Sequence, residues 1–473
     1  MPPRSSQKTK ANQKSQPIFH WINLPREIAD LTLSYLKTDK KALLACSLVG
    51  REFSAMSARD RFSEIDLPWS DKPGELERAE HLLSALLSST HISSYARSLS
   101  IKFHHYDKAA PVVEIYARCL HQFSKLKTLS LHGDHVWSVI WQSIVPMPMQ
   151  SGILELLRRN FIDTLYIDRL QGVPYEILTS CAQLSTVAVE YFSFAQSTDP
   201  PPAGERLCLT KLENLRLSEA TDDDGGNQSF IQWMLKKESL INLSFLNRLT
   251  IFLPGNSSSP SYIRDLSQLL SLADRHSLRS LYIDFRRERS IWDQSLPNLS
   301  IERFQRLRYL RLHIPWCPER IGMSFGNPFP YVLSLLNQLN CHHSIEEISV
   351  KIWPLWEGYH RENMLLLTEE GSTTGLILSE IPSLLRLVFI LATKAEKHNK
   401  TRPPHVSLLR YALAEAFHQV QDKGLLFFET TSDLNGFGEY DNPSLMETVF
   451  PVRSYLQKVG CSGPIHRIQY PDY

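Results

Sequence analysis

The sequence has no apolar run near the roughly 18 residues that a membrane-spanning helix requires. Excess charge is missing as well. Lys and Arg number 51 against 50 Asp and Glu, a formal charge of +1, so no net field draws the chain to nucleic acid or to an anionic surface. The seven cysteines (Cys46, Cys119, Cys181, Cys208, Cys317, Cys341, Cys461) are odd in number and never form CxxC. That argues for a reducing compartment, cytoplasmic or nuclear, and against a structural zinc site. HExxH, an EF-hand loop and a phosphate-binding Gly-rich loop are all lacking. Cys341-His342-His343 and His104-His105 are consecutive, so their side chains diverge and cannot converge on a metal. No cofactor is expected.

One catalytic string does occur, Gly322-Met323-Ser324-Phe325-Gly326, which satisfies GxSxG. A nucleophile elbow needs a strand immediately before the serine and a helix immediately after it. Here "PWCPERI" intervenes on one side and the prolines of "NPFP" obstruct a helix on the other. A serine hydrolase is therefore the lesser alternative, and the chain reads as non-catalytic.

Residues 1–17 carry Arg4, Lys8, Lys10 and Lys14 with no apolar core behind them, and read as a disordered tail rather than a secretory signal. Three short helical segments follow. Asn23 is placed to cap the first, where Pro25 is tolerated. Leu24, Ile28, Leu31 and Tyr35 form one stripe, with Leu33 and Leu36 as a second apolar edge. Asp39 caps "KKALLACSLV", Gly50 ends it, and a third segment runs from Arg51 to about Arg61.

The second segment is apolar nearly all round (Ala42, Leu43, Leu44, Ala45, Cys46, Leu48, Val49), so it must be covered on every side. Three helices in under 50 residues cannot cover each other. Each large side chain left in water forfeits about 1.5–3 kcal/mol, so the surplus marks a docking surface. The alternative is that this unit caps the domain that follows it.

Residues 19–67 resemble an F-box, of the form usual in fungal proteins. The resemblance rests on Leu24-Pro25 with Glu27-Ile28, "SYL" at 34–36, the Asp39 turn, "KALLACSLVGREF" and "FSEIDL". Gly50 and Phe53 depart from the common pattern. The resemblance implies docking on a Skp-type adaptor, and through it a cullin–RING ubiquitin ligase. The implied adaptor-facing residues are Leu24, Pro25, Ile28, Tyr35, Leu36, Leu43, Leu44, Cys46 and Val49.

From residue 62 a phrase apolar-x-x-apolar-x-apolar recurs at 62, 96, 126, 162, 184, 212, 246, 278, 307, 345 and 384. Stretches with helical spacing lie between successive phrases. Such a unit cannot bury its own apolar side, so units stack. The pattern resembles irregular leucine-rich repeats, departing from them by the lack of an Asn ladder. A doubly wound sheet is the alternative.

The expected fold is thus α/β: a three-helix F-box (18–61), an irregular leucine-rich-repeat-like strand/helix solenoid (62–400) and a C-terminal repeat or cap (401–473), in which "GLLFFETT" is one last strand. The expected function is substrate recognition for an SCF-type ubiquitin ligase, with an adaptor-binding scaffold as the alternative. The partners are then the adaptor and a protein target, with no nucleic acid and no membrane.

If the apolar phrase positions point inward, their neighbours lie on a free face. Tyr166, Arg216, Arg248, Tyr282, Tyr309 and Arg311 are the candidate target-binding residues there, with Asp168, Asp284, His313 and Lys351 beside them. Arginine and tyrosine are favoured at interfaces, and the arginines suit an acidic or phosphorylated segment.

Overall fold

The structure is a computed structural model that describes residues 26–36, 39–48, 51–68, 74–88, 90–103, 110–133, 139–181, 183–195, 212–217, 226–235, 242–252, 260–285, 299–316, 329–341, 344–354, 371–392 and 404–431. The tail, Leu24, Pro25, Val49 and the 322–326 string lie outside these residues.

Each recurring phrase becomes a strand. In chain order these are β1 (Glu64–Pro68), β2 (Ser98–Lys102), β3 (Thr128–His132), β4 (Thr164–Asp168), β5 (Thr186–Glu190) and β6 (Asn214–Leu217). They continue as β7 (Arg248–Phe252), β8 (Ser280–Asp284), β9 (Tyr309–Trp316), β10 (Glu347–Pro354) and β11 (Arg386–Ala392). β12 (Leu426–Thr431) is the strand expected at "GLLFFETT". All twelve form one open parallel sheet whose spatial order is the chain order. A doubly wound sheet reverses direction at a switch point; this sheet does not. The short strands Val139–Ile140 and Leu170–Gln171 pair apart from it.

Parallel neighbours need a crossover, and right-handed crossovers that always step the same way place their helices on one side of the sheet. That side is the core. Leu129 and Leu131, Leu165 and Ile167, Val187 and Val189, and Leu281 and Ile283 repeat at the same two registers, all without exposure. The phrase's leading apolar residue (Leu126, Ile162, Leu184, Leu212, Leu246, Leu278, Leu307, Ile345) is buried too and anchors the chain just before each strand. Above them the helices pack in file: Glu75–Ser88 on Ala110–Leu120, and the latter on Met147–Arg159. Near the C-terminal end, a Cβ on Gly371 would lie 2.7 Å from the Ala416 Cβ, and one on Gly375 2.9 Å from the Ala416 carbonyl. These glycines let the helical residues 371–379 approach the helix Pro404–Ala416 closely.

What replaces the missing Asn ladder is backbone. The carbonyl of the residue just before a strand accepts two consecutive N–H groups from the start of the next unit. Arg97 O accepts from Lys127 and Thr128, Glu213 O from Asn247 and Arg248, and Arg308 O from Glu346 and Glu347. The motif occurs ten times without a break from Ser63 to Glu346, at 2.7–3.2 Å, and uses both lone pairs of each carbonyl. It stops at β12, where Leu387 N donates to Leu425 O instead. Side chains supplement it irregularly. Buried Asn160 donates to Phe123 O and Leu156 O and accepts from Leu126 N, while Ser344 donates to Gln305 O and Leu307 O.

At the start of the chain, α1 (Arg26–Tyr35), α2 (Lys40–Ser47) and α3 (Arg51–Arg61) form the three-helix unit. Asp39 caps α2 as expected, its Oδ1 accepting from Lys41 N and Ala42 N at 3.0 Å. α3 packs on the helix Thr90–Tyr95, which joins the unit to the beginning of the sheet domain.

Candidate interaction surfaces

The three helices share a small core of Ala29, Leu33, Leu43 and Ser57. Of the two apolar edges on α1, the one through Leu33 faces inward. The stripe Ile28–Leu31–Tyr35 faces out, with exposures of 46%, 53% and 79%. On α2, Leu44 and Leu48 are also open, at 48% and 83%. Full cover is worth about 1.5–3 kcal/mol per large apolar side chain. Five such side chains, half to four-fifths exposed, therefore hold about 5–10 kcal/mol of burial that the described residues do not supply.

Among the residues expected to face an adaptor, Ile28, Tyr35 and Leu44 lie on this outer surface, and Leu36 and Cys46 are half-buried beside it. Leu43 does not. It is wholly enclosed between the helices and belongs to the unit's own core. Leu31 and Leu48, apolar in the sequence pattern but absent from the expected adaptor-facing set, share this outer surface. Spacings of three from Ile28 and four from Leu44 were the signal for them.

The other face of the sheet, helix-free among the described residues, is the second surface. Register puts Tyr166, Arg216, Tyr282 and Arg311 on one row across β4 to β9, and Arg248 and Tyr309 on the neighbouring row. The target-binding candidates therefore share one face. They do not stand in solvent as the alternation suggests, because parallel strands about 4.8 Å apart crowd successive rungs. Tyr166, Asp168, Glu190, Arg216, Asp284 and His313 are all buried.

Their charges are spent on one another. Arg216 pairs with Glu190 and lies over the Phe252 ring, 4.9 Å from its centroid. Phe252 meets Tyr282 edge-on at 5.8 Å. The Tyr282 hydroxyl donates to Asp284 Oδ2 at 3.0 Å, and His313 Nδ1 lies 3.4 Å from the same oxygen. Arg311 reaches Glu347 at 3.5 Å, and Arg386 lies between Glu347 and Glu429 at 3.9 and 3.2 Å. Tyr309 donates to Glu346 at 3.1 Å; burial first, then that carboxylate, pushes its phenol pKa above the usual 10.0. Lys351 sits beside His313 on the adjoining strand, half-buried.

Chemically, this face offers a flat lattice of mutually paired charged and aromatic groups. Asp284 and His313 are too enclosed to reach a substrate and act as cross-strand struts. Among the described residues no group of three or more His, Cys, Asp or Glu is placed to hold a metal ion. No helix among them is long and apolar enough to cross a membrane. Burial pushes the Cys119 and Cys181 thiols up to about 12, which leaves them poor nucleophiles.

Compared with models of known protein families and with curated proteins, the chain matches none. The fold defines the class: an α/β protein with an open, sequentially ordered parallel sheet and a three-helix unit at its N-terminal side.

Proposed function

We propose that the chain is the substrate-recognition subunit of a cullin–RING, SCF-type ubiquitin ligase. In this reading residues 18–61 are an F-box that docks a Skp-type adaptor, and the sheet domain is an irregular leucine-rich-repeat-like solenoid that holds a protein target. The observation that carries it is the outward apolar stripe Ile28–Leu31–Tyr35 with Leu44 and Leu48. That surface is unprofitable to expose unless a second polypeptide covers it. A single parallel sheet in chain order, with successive strands from β1 to β11 fixed by the same backbone bonds, supports the solenoid reading. Mechanistically the role is proximity: tethering raises the effective concentration of target near the charged enzyme, and bond chemistry occurs on other subunits.

The pairing of Arg216, Arg311 and Arg386 with carboxylates shifts the target chemistry. The helix-free face would grip through its aromatic and backbone-proximal polar groups rather than through unspent positive charge.

Affinity capture of the full chain against an Ile28→Glu/Leu44→Lys variant tests the proposal. The wild-type chain should recover adaptor and cullin, and the variant neither, while other partners stay bound. Recovery of the adaptor without a cullin would favour the scaffold alternative. Equal recovery of adaptor by a folded variant would end the F-box reading.

A further inference from the structure

The residues just before each strand form a row along one edge of the sheet: Arg97, Lys127, Asp163, Ser185, Glu213, Asn247, Arg279, Arg308, Glu346 and Leu385. Its cations fall in two places, at β2 and β3 and at β8 and β9. Arg279 and Arg308 occupy successive steps, and Arg308 N donates to Arg279 O at 2.8 Å. The loops behind them stack as well, Gln305 N donating to Arg275 O at 3.1 Å, which brings Arg275 and Arg306 into the same neighbourhood.

Some of these cations are already engaged. Arg308 pairs with Glu346 at 3.4 Å, and Arg303 donates to Ala273 O and lies over Phe304. Arg275, Arg279 and Arg306 are exposed, and no carboxylate lies within ion-pair distance of them among the described residues. Arg275 Nε makes one contact, to His276 Nε2 at 3.0 Å, and the nearby Asp274 carboxylate is taken by His276 N. Like charges on stacked loops oppose folding slightly, and nothing in the packing requires them there.

We propose that Arg275, Arg279 and Arg306 form a docking surface for a short acidic peptide segment of a partner protein. Arginine forks suit carboxylates through paired hydrogen bonds. The extent of the patch selects a peptide over a longer polyanion. Steps are about 4.8 Å apart, so the flanking Glu213 and Glu346 lie about 19 Å apart and the stretch between them that is free of negative charge is about 10–15 Å, the length of roughly four extended residues. Glu213, two steps before Arg279, and Glu346, next after Arg308, bound it with negative charge. A nucleic-acid strand or a lipid surface would bring phosphates onto both. The other cationic pair of this edge, Arg97 and Lys127, is less suited. Arg97 is committed to the carbonyls of Ser94, Ala96 and Lys125, and Asp163 follows Lys127 on the next step. The inference stands independently of the ligase reading.

The test is fluorescence anisotropy of the full chain with labelled hexaglutamate, and hexaglutamine as the uncharged probe. The variants are Arg279→Glu/Arg306→Glu and, with the same change in net charge, Lys125→Glu/Lys127→Glu. Hexaglutamate should bind, and should weaken about tenfold between about 50 and 200 mM salt. Its affinity should fall about tenfold or more in the arginine variant and less than about twofold in the lysine variant. An Arg279→Gln/Arg306→Gln variant, with the charge removed but not reversed, should fall between wild type and the reversal. The proposal is overturned if hexaglutamate does not bind the wild-type chain, or if both reversals weaken it equally. It is also overturned if a single-stranded oligonucleotide or an anionic vesicle displaces the peptide at lower concentration and loses affinity in the same variant.

Discussion

Leu43 and Leu44 are neighbours in sequence with opposite fates: one has no exposure, the other 48%. Leu43→Ala removes the largest share of a core whose other buried members among the described residues are Ala29, Leu33 and Ser57. Such substitutions cost about 2.7–5 kcal/mol where surrounding side chains cannot close the gap. A three-helix unit of under 50 residues holds only a few kcal/mol of its own stability, so this loss is enough to open it locally. Ile28→Glu with Leu44→Lys acts differently. Glu adds negative charge to the first turn of α1 and Lys adds positive charge to the second half of α2, both favourable to the helix dipole. Stability should change by less than about 0.5 kcal/mol per site. Binding should not be spared. Two half-exposed side chains withdrawn from a covered interface forfeit about 2–3 kcal/mol, a 30- to 150-fold loss in adaptor affinity. Hydrogen exchange over residues 26–61, together with calorimetric titration of a Skp-type adaptor, separates the two effects. Leu43→Ala should raise exchange in α2 and α3 and leave the sheet protected. Ile28→Glu/Leu44→Lys should exchange like the wild type and bind poorly. The reasoning fails if Leu44→Lys alone opens the unit as far as Leu43→Ala does, or if the double variant keeps full affinity.

Further outcomes are expected from the sheet domain. A Cβ on Gly133 would overlap the Arg169 carbonyl oxygen, so Gly133→Ala should lower stability by about 2–4 kcal/mol, read as a lower urea midpoint. Arg216 and Glu190 are about nine-tenths buried as a pair. Glu190→Leu alone removes the carboxylate paired with a buried cation and should cost about 3–5 kcal/mol, while Arg216→Met with Glu190→Leu should recover most of that; a double-mutant cycle reads the difference. Burial holds Cys119, Cys181 and the Tyr331 phenol protonated to about pH 12, whereas the unfolded chain releases these protons from about pH 9 to 10. In that window the unfolded state binds fewer protons, so stability should fall as pH rises above 9, and less steeply in Cys119→Ala/Cys181→Ala. Urea midpoints across that range check it.

The strands were legible because their signal is local. Period-two alternation plus one buried anchor three residues earlier is visible in any single phrase, and "LKTLSL" and "LRSLYI" carry it as clearly as a solved strand. The helix-free face was legible in address but not in state. Arg216 finds Glu190 26 residues away and Arg311 finds Glu347 36 residues away, separations across which no periodicity speaks. The backbone ladder left no trace in side-chain identity, since Arg97, Ser185, Asn247 and Glu346 all serve as acceptors through the same carbonyl. In α1 two apolar edges competed for one core. The choice of Leu33 over Leu31 was settled by how α1 packs on α3, not by the helix's own pattern.

The unbroken run of doubly accepting carbonyls makes each strand–helix step interchangeable as a spacer. Inserting or deleting one step would shift everything beyond it by about 4.8 Å and rotate it by about 20–25°, leaving the chemistry at either end untouched. The distance between the helical unit and any surface farther along is therefore set by counting steps, a ruler that can be recut one division at a time.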